Sequence, residues 1–329
     1  MCAHTSDLPL LNAWQRDFPL CPAPFDVLGR ALGRPANAVI AHCQRLKDAG
    51  VLGRIGAVFA PGAGGAGLLA AMAVPPARLD EVAALVSSHP GVSHNYEREN
   101  PLNLWFVATA TDALALDQML CCIEQDTGLD VLRLPMVRPY RIDLGFDLNA
   151  TTAAAGGTTH TASIPIPAHE SGLAALAEQG LPFIARPYDA WAEHLGWSPA
   201  TVLETLHRWL EQGTLSRFGM VVRHHEVGYT ANAMTVFDVA QDQVDACGKL
   251  LAQQPGITLA YQRARSQHWP YNLYCMVHGQ ERAEVLALIQ QAAQQAGIAH
   301  LRRETLFSLR RFTQRSPRRF AALQEALHA

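Results

Sequence analysis

The chain repeats itself. Residues 25–58, FDVLGRALGRPANAVIAHCQRLKDAGVLGRIGAV, align without a gap on 188–221, YDAWAEHLGWSPATVLETLHRWLEQGTLSRFGMV, at a constant offset of 163. Ten of these 34 positions are identical: Asp26/Asp189, Leu32/Leu195, Gly33/Gly196, Val39/Val202, Arg45/Arg208, Gly50/Gly213, Leu52/Leu215, Arg54/Arg217, Gly56/Gly219 and Val58/Val221. Farther on, HPGVSHNYERENPLNLWFV matches QPGITLAYQRARSQHWPYNLYCMV once a short insertion in the second copy is allowed. The offset grows there to 165 and then 169. Two diverged copies of one unit therefore lie in tandem, and whatever one copy folds into, the other does too.

Each copy divides again. LGRPANAVIAHCQRLKDAGVL and LGWSPATVLETLHRWLEQGTL have a helix-turn-helix cadence, turning at Gly33 and Gly196. Pro35 and Pro199 suit the start of the second helix, and Gly50 and Gly213 its stop. The rest of each copy alternates strand and helix. In the first copy the pattern predicts strands 54–59, 68–74, 92–98, 103–109 and 130–138 and helices 76–88 and 112–127. In the second it predicts strands 217–222, 231–239, 257–263, 272–278 and 299–307 and helices 241–254 and 280–296. The last four strands and two helices of each copy make β-α-β-β-α-β, the ferredoxin-like unit. One face of such a sheet is covered by helices, and the other needs a partner or a ligand.

The fold class expected is α+β, a tandem duplication of a winged helix-turn-helix and a ferredoxin-like unit. In chain order this predicts a helix-turn-helix domain at 1–60 and a ferredoxin-like domain at 61–149. A flexible linker at 150–167 follows, rich in small residues (ATTAAAGGTTHTAS, then IPIP). A second helix-turn-helix domain at 168–222 and a second ferredoxin-like domain at 223–329, with a basic C-terminal tail, complete the chain. The linker is long enough for the halves to pair within one chain, as an intrachain pseudo-dimer. A homodimer of such chains stays open.

Composition narrows the function. Of 329 residues, 49% are hydrophobic and 17% charged, which excludes a disordered chain. The net charge of -3 disfavours general nucleic-acid binding. The start, MCAHTSDLPLLNAWQRDF, has no basic segment followed by an apolar core, and no apolar run reaches about 18 residues. The seven Cys are scattered without CxxC or zinc spacing. A cytoplasmic protein with reduced thiols, no membrane contact and no resident metal is expected.

The order of domains resembles the Lrp/AsnC family. Three segments narrow the resemblance: SHNYERENPLNLWF (93–106), RFGMVVRHHEVGYTANAM (217–234) and YQRARSQHWPYNLYCMVHG (261–279) are similar to the siroheme decarboxylase family in its fused two-subunit form. That resemblance implies a carboxy-lyase that removes the carboxyl groups of two ring acetates of siroheme, leaving methyls. The product feeds the nitrite-reductase heme of denitrification or, elsewhere, alternative heme synthesis. It implies siroheme and decarboxylated siroheme as partners and no cofactor, because the iron belongs to the substrate. The alternative is a tetrapyrrole- or metabolite-responsive regulator of the Lrp/AsnC type. Such a regulator needs cations toward DNA. The helix at 36–49 has only Arg45 and Lys47, late in its course. The helix at 199–212 sets Glu204 and Glu211 against Arg208. Specific DNA binding is not expected.

A flat macrocycle with eight carboxylates needs an apolar slot, aromatic walls and a cationic rim. His94, Tyr96 and Arg98 alternate along one predicted strand, so they share a face, and Asn95, Glu97 and Glu99 take the other. Asn103 and Trp105 alternate on the neighbouring strand. In the second copy Tyr261, Arg263 and Arg265 repeat the pattern, but Leu259 stands where the first copy has His94. Arg223, His224 and His225 follow the strand FGMVV, and His268 and Asn272 belong to the insertion. Arg138 and Arg141 follow VLRLPMV. Decarboxylation leaves electron density on a methylene carbon, so a general acid must supply a proton. His94 is the first candidate, and His224 or His225 the second. Arg98, Arg263 and Arg223 would hold carboxylates, and Tyr96 and Tyr261 would orient the substrate. The competing structural readings are a solvated edge strand at 94–98, a core Trp beside a turn Asn at 103–105, a polar turn at 224–225, a solvated loop at 268 and an exposed basic tail.

Overall fold

In a computed structural model, residues 7–142, 145, 164–223, 226 and 228–320 are described. The first copy contains α1 (Leu8–Ala13), α2 (Pro24–Leu32), α3 (Ala36–Asp48), β1 (Leu52–Phe59), β2 (Ala66–Met72), α4 (Leu79–Ser88), β3 (Val92–Arg98), β4 (Leu104–Ala110), α5 (Ala113–Thr127) and β5 (Leu132–Ile142). The second contains α6 (Ser171–Gln179), α7 (Pro187–Leu195), α8 (Pro199–Glu211), β6 (Leu215–Val222), β7 (Ala231–Phe237), α9 (Val244–Ala252), β8 (Ile257–Arg263), β9 (Leu273–Gly279), α10 (Arg282–Gln295) and β10 (Arg303–Gln314). The chain divides into two compact units, and each pools like elements from both copies. Residues up to Gly64, those from Ile164 to Gly228 and Phe320 form one; Gly65 to Gly145 and Tyr229 to Arg319 form the other. Of the linker expected at 150–167, residues 150–163 lie outside the described residues.

In the first unit α2 turns into α3, and α7 into α8, at Gly33 and Gly196, whose φ values of 63° and 67° lie in the left-handed region. β1 and β6 pair antiparallel, and Gly56 faces Gly219. These two glycines are equivalent positions of the copies, so a pseudo-twofold axis passes between them. Both must be glycine for the same reason. A Cβ at Gly219 would sit against the Trp14 and Gln15 carbonyls, and one at Gly56 against the Ala177 carbonyl. The identical Arg54 and Arg217 are also structural. Arg54 donates to the Ala57 carbonyl at 3.0 Å and Arg217 to the Met220 carbonyl at 3.1 Å. Arg208, the basic residue of α8, pairs with Glu170, which also accepts from the Trp209 indole at 2.8 Å. The cation is thereby tied to a buried carboxylate of its own unit.

The second unit is a closed antiparallel barrel with strand order β10-β3-β4-β2-β5-β8-β9-β7. Each copy supplies a four-stranded ferredoxin-like sheet. The outer faces bury Ala70, Phe106, Leu120 and Ile123 beneath α4 and α5, and Phe237, Val277, Val285 and Ile289 beneath α9 and α10. The inner faces meet across Leu69, Trp105, Leu134, Met234, Tyr261, Trp269, Tyr271, Tyr274 and Leu306. The sheets do not merely stack: their edges are sewn together. β5 pairs with β2 through Leu132–Pro135, then crosses to β8 through Met136–Ile142. β10 pairs with β7 through Arg303–Phe307, then crosses to β3 through Ser308–Gln314.

This corrects the reading of both closing segments. The strands expected to stop at 138 and 307 run on to 142 and 314, and the basic run is largely a strand rather than a tail. Pro135, Pro139 and the charged pair Arg310 and Arg311 break the period-two apolar pattern, which is why it ended early. Among the described residues no helix is long and apolar enough to cross a membrane.

Candidate functional site

The barrel's inner face is set by β3 and its neighbours. Tyr96 lies opposite Trp105 and His94 opposite Val107, so both point inward with the apolar interior. Arg98 follows two residues on. It is 7% exposed, donates to the Leu306 carbonyl at 3.0 Å, and its guanidinium carbon sits 5.7 Å from the Tyr96 ring centre. The His94 and Tyr96 rings are nearly parallel, 6.3 Å apart. Burial lowers Arg98 to about 10, opposed by Tyr96 and Tyr261, so it stays charged at neutral pH. Asn95 faces the other way and donates to the Ala83 carbonyl of α4 at 3.1 Å.

Arg263 is the second copy's counterpart. It is 6% exposed, donates to the Leu134 carbonyl at 2.6 Å, and lies 4.6 Å from the Tyr261 ring centre. Tyr261 stacks near Tyr274 at 5.9 Å, and the Trp269 indole donates to the Tyr274 hydroxyl at 2.7 Å. The insertion thus delivers Trp269 and Tyr271 into the interior, while His268 stays exposed. Trp105 packs 5.3 Å from Trp269.

The two sides of the barrel are not alike. Around Arg98 the strand register gathers His94, Tyr96, Asn232, His278, Ser308, Arg311 and Gln314 on the inner face. Ser308 donates to Asn232 at 2.8 Å, and His278 feels the charge of Arg98. The equivalent positions around Arg263 are Leu259, Tyr261, Gly67, Thr109, Met136, Pro139 and Ile142. One side carries a continuous polar strip without an acid, and the other has only its Tyr–Arg pair among small and apolar residues.

Asn232, His278, Ser308 and Gln314 were not singled out from the sequence, and Arg311 stood there only as part of the basic tail. They come from strands β7, β9 and β10, and only the barrel's closure brings them beside β3. A comparison of the copies at equivalent positions would have flagged His278 against Thr109 and Ser308 against Met136.

Several expected site residues lie elsewhere. Arg138 faces outward and pairs with Asp245 at 2.5 Å. Arg141 is buried against α9 and donates to the Ala252 carbonyl at 3.2 Å. The bulges in β5 turn both away from the interior. Asn103 bonds the Val74 N–H and carbonyl, and Asn272 bonds those of Val239, so both amides pin equivalent loops. Arg265 binds Asp238 and the Pro270 carbonyl. Arg223 belongs to the helix-turn-helix unit and donates to the Gly50 carbonyl. His224 and His225 lie outside the described residues. Among the described residues no group of three or more His, Cys, Asp or Glu could hold a metal ion.

His278, like Arg98, is strongly perturbed. Burial, then the charge of Arg98, lowers it from 6.5 to about 4. The folded chain therefore keeps this ring neutral where the unfolded chain takes up a proton near pH 6.5. Its contribution is full above about pH 6.5 and is lost as pH falls toward 4. The loss is at most about 3 kcal/mol, because the ring is partly open to solvent. Urea titrations should show a shallower fall in stability over this window for His278→Gln than for the parent chain.

Comparison with known proteins places this architecture. The AsnC-like ligand binding domain matches residues 63–141 and 226–313. The siroheme decarboxylase NirDL-like HTH domain matches 7–52 and 173–215. The chain is 41% identical over 310 residues to the siroheme decarboxylase NirDL subunit of Paracoccus denitrificans, covering 94% of this chain and 95% of that one. It is 30% identical over 307 residues to the siroheme decarboxylase of Hydrogenobacter thermophilus, covering 92% and 91%. A crystal structure of the siroheme decarboxylase NirDL with an iron-uroporphyrin III analogue superposes with a TM-score of 0.67 at 26% identity, covering 97% and 98%.

Proposed function

Since the chain belongs to the siroheme decarboxylase family, we propose that it removes the carboxyl groups of two ring acetates of siroheme as carbon dioxide. Each event breaks one carbon–carbon bond and leaves its electron pair on a methylene carbon. One proton then makes the methyl group. The reaction is redox-neutral, so the scheme calls on no cofactor, and the iron travels with the substrate.

His94 supplies the proton. Its side chain is on the inner face, and imidazole titrates close enough to neutrality to donate and reload. Arg98 and Arg311 hold carboxylates of the macrocycle, and Arg263 holds another across the barrel. Tyr96, Tyr261 and Trp105 offer ring faces to the tetrapyrrole. The reacting carboxylate belongs where cations are few and the lining is apolar, because poor solvation favours release of neutral carbon dioxide. The acid-free strip around Arg98 carries this reading. It has no counterpart around Arg263, so we place a single working centre there. The two copies act as a pseudo-dimer within one chain.

Purified protein incubated with siroheme without air should yield a product lighter by two carbon dioxide molecules. Siroheme recovered with unchanged mass, although bound, would make the chain a carrier instead.

A further inference from the structure

Both copies carry a register shift at the same place. In β3 it falls between Val92 and His94, and in β8 between Ile257 and Leu259. The extra residue is Ser93 in one copy and Thr258 in the other. Each hydroxyl does the same two things. Ser93 donates to the Val107 carbonyl at 3.4 Å and lies 3.0 Å from His94 Nδ1. Thr258 donates to the Met276 carbonyl at 3.0 Å and lies 2.9 Å from His278 Nδ1. Val107 and Met276 are themselves equivalent positions. The imidazoles are not: His94 is on β3 and His278 on β9, and their counterparts are Leu259 and Thr109.

A hydroxyl has one proton to give. Given to the strand carbonyl, that proton leaves the oxygen to accept from the imidazole, whose Nδ1 then carries the ring's hydrogen. We propose that Ser93 and Thr258 are positioning residues that hold the neutral rings of His94 and His278 in the Nδ1–H form. The proposal builds on the decarboxylase reading by naming what orients its proton donor. With Nδ1 tied back to the strand, the basic lone pair of each ring is on Nε2, at the ring's far edge. His94 then gains and releases its proton at one atom and returns to the same tautomer after every turnover. His278, kept neutral by its surroundings, presents an Nε2 that accepts rather than donates. The bulge shared by both copies thus serves one use in each, on histidines at non-equivalent positions.

The test uses the full chain labelled with nitrogen-15 in its histidines. Long-range proton–nitrogen spectra distinguish the two neutral tautomers, and His94→Gln and His278→Gln identify the two rings. Both should show the Nδ1–H pattern at pH 8. Ser93→Ala and Thr258→Val should shift the ring each one serves toward the Nε2–H form. Ser93→Thr and Thr258→Ser, which keep the hydroxyl, should restore the parent pattern. Ser93→Ala should also lower kcat by roughly tenfold, part of what a general acid supplies, with KM within about twofold. Nε2–H rings in the parent chain, or tautomers indifferent to loss of the hydroxyl, would overturn the assignment. Parent protein that shows the Nδ1–H pattern yet leaves siroheme intact refutes the decarboxylase reading and leaves the assignment of the hydroxyls standing.

Discussion

His94→Ala is expected to bind siroheme within a fewfold of the parent chain and to turn it over at least about tenfold more slowly. The lower bound is cautious, since a positioned general acid contributes roughly a hundredfold to ten-thousandfold. Binding should survive because the cations remain. Arg98 is anchored on the Leu306 carbonyl and packed over Tyr96, and neither contact involves the imidazole. Chemistry should fail because, among the described residues, no equivalent proton donor stands behind His94. The other copy has Leu259 at that position, and His278 is held neutral. Anaerobic single-turnover assays, with binding measured separately by the absorption change of the substrate, separate the two effects. A variant as fast as the parent would remove His94 from the reaction.

Arg98→Gln and Arg263→Gln should diverge. Both arginines are buried, both donate to a strand carbonyl, and both lie over a tyrosine ring. Equal roles would give equal losses. The side chains around them are not equal, because Arg98 shares its strip with His94, His278, Asn232 and Ser308, and Arg263 sits among Leu259, Met136 and Ile142. A charge-assisted hydrogen bond to a substrate carboxylate is worth about 1.5–3 kcal/mol. Arg98→Gln should therefore lower kcat/KM by roughly a hundredfold. Arg263→Gln should lower it by about tenfold, the bottom of that range, and act also on stability, because it gives up the bond to the Leu134 carbonyl. Equal losses in kcat/KM for the two variants would argue for two working centres.

Much of this was legible before any coordinates. The gapless offset of 163 exposed the duplication, and Gly33 and Gly196 marked the turns they make. The period-two run through His94, Tyr96 and Arg98 put these three residues on one face, where the strand pairing has them, because alternation is a property of a single strand. What stayed hidden depends on contacts between distant strands. Asn103 and Asn272 looked like ligands for a carboxylate, but each is a loop clasp, and only its backbone partners reveal that. Arg138 and Arg141 were expected at the site from their place after VLRLPMV, but two bulges in β5 turn them outward, and no local pattern announces a bulge. His278 sits 180 residues beyond Arg98 in the chain, and no local pattern could join them.

The crossing of β5 and β10 has a consequence for how such a chain diversifies. Each seam of the ring is made by one copy's last strand lying along the other copy's second, and both seams close within a single polypeptide. Dilution cannot part them as it could two separate subunits. A mutation in either half also appears once around the ring, not twice. Covalent union therefore frees one flank to specialise while its rotated counterpart serves as scaffold, an option closed to any assembly of identical protomers.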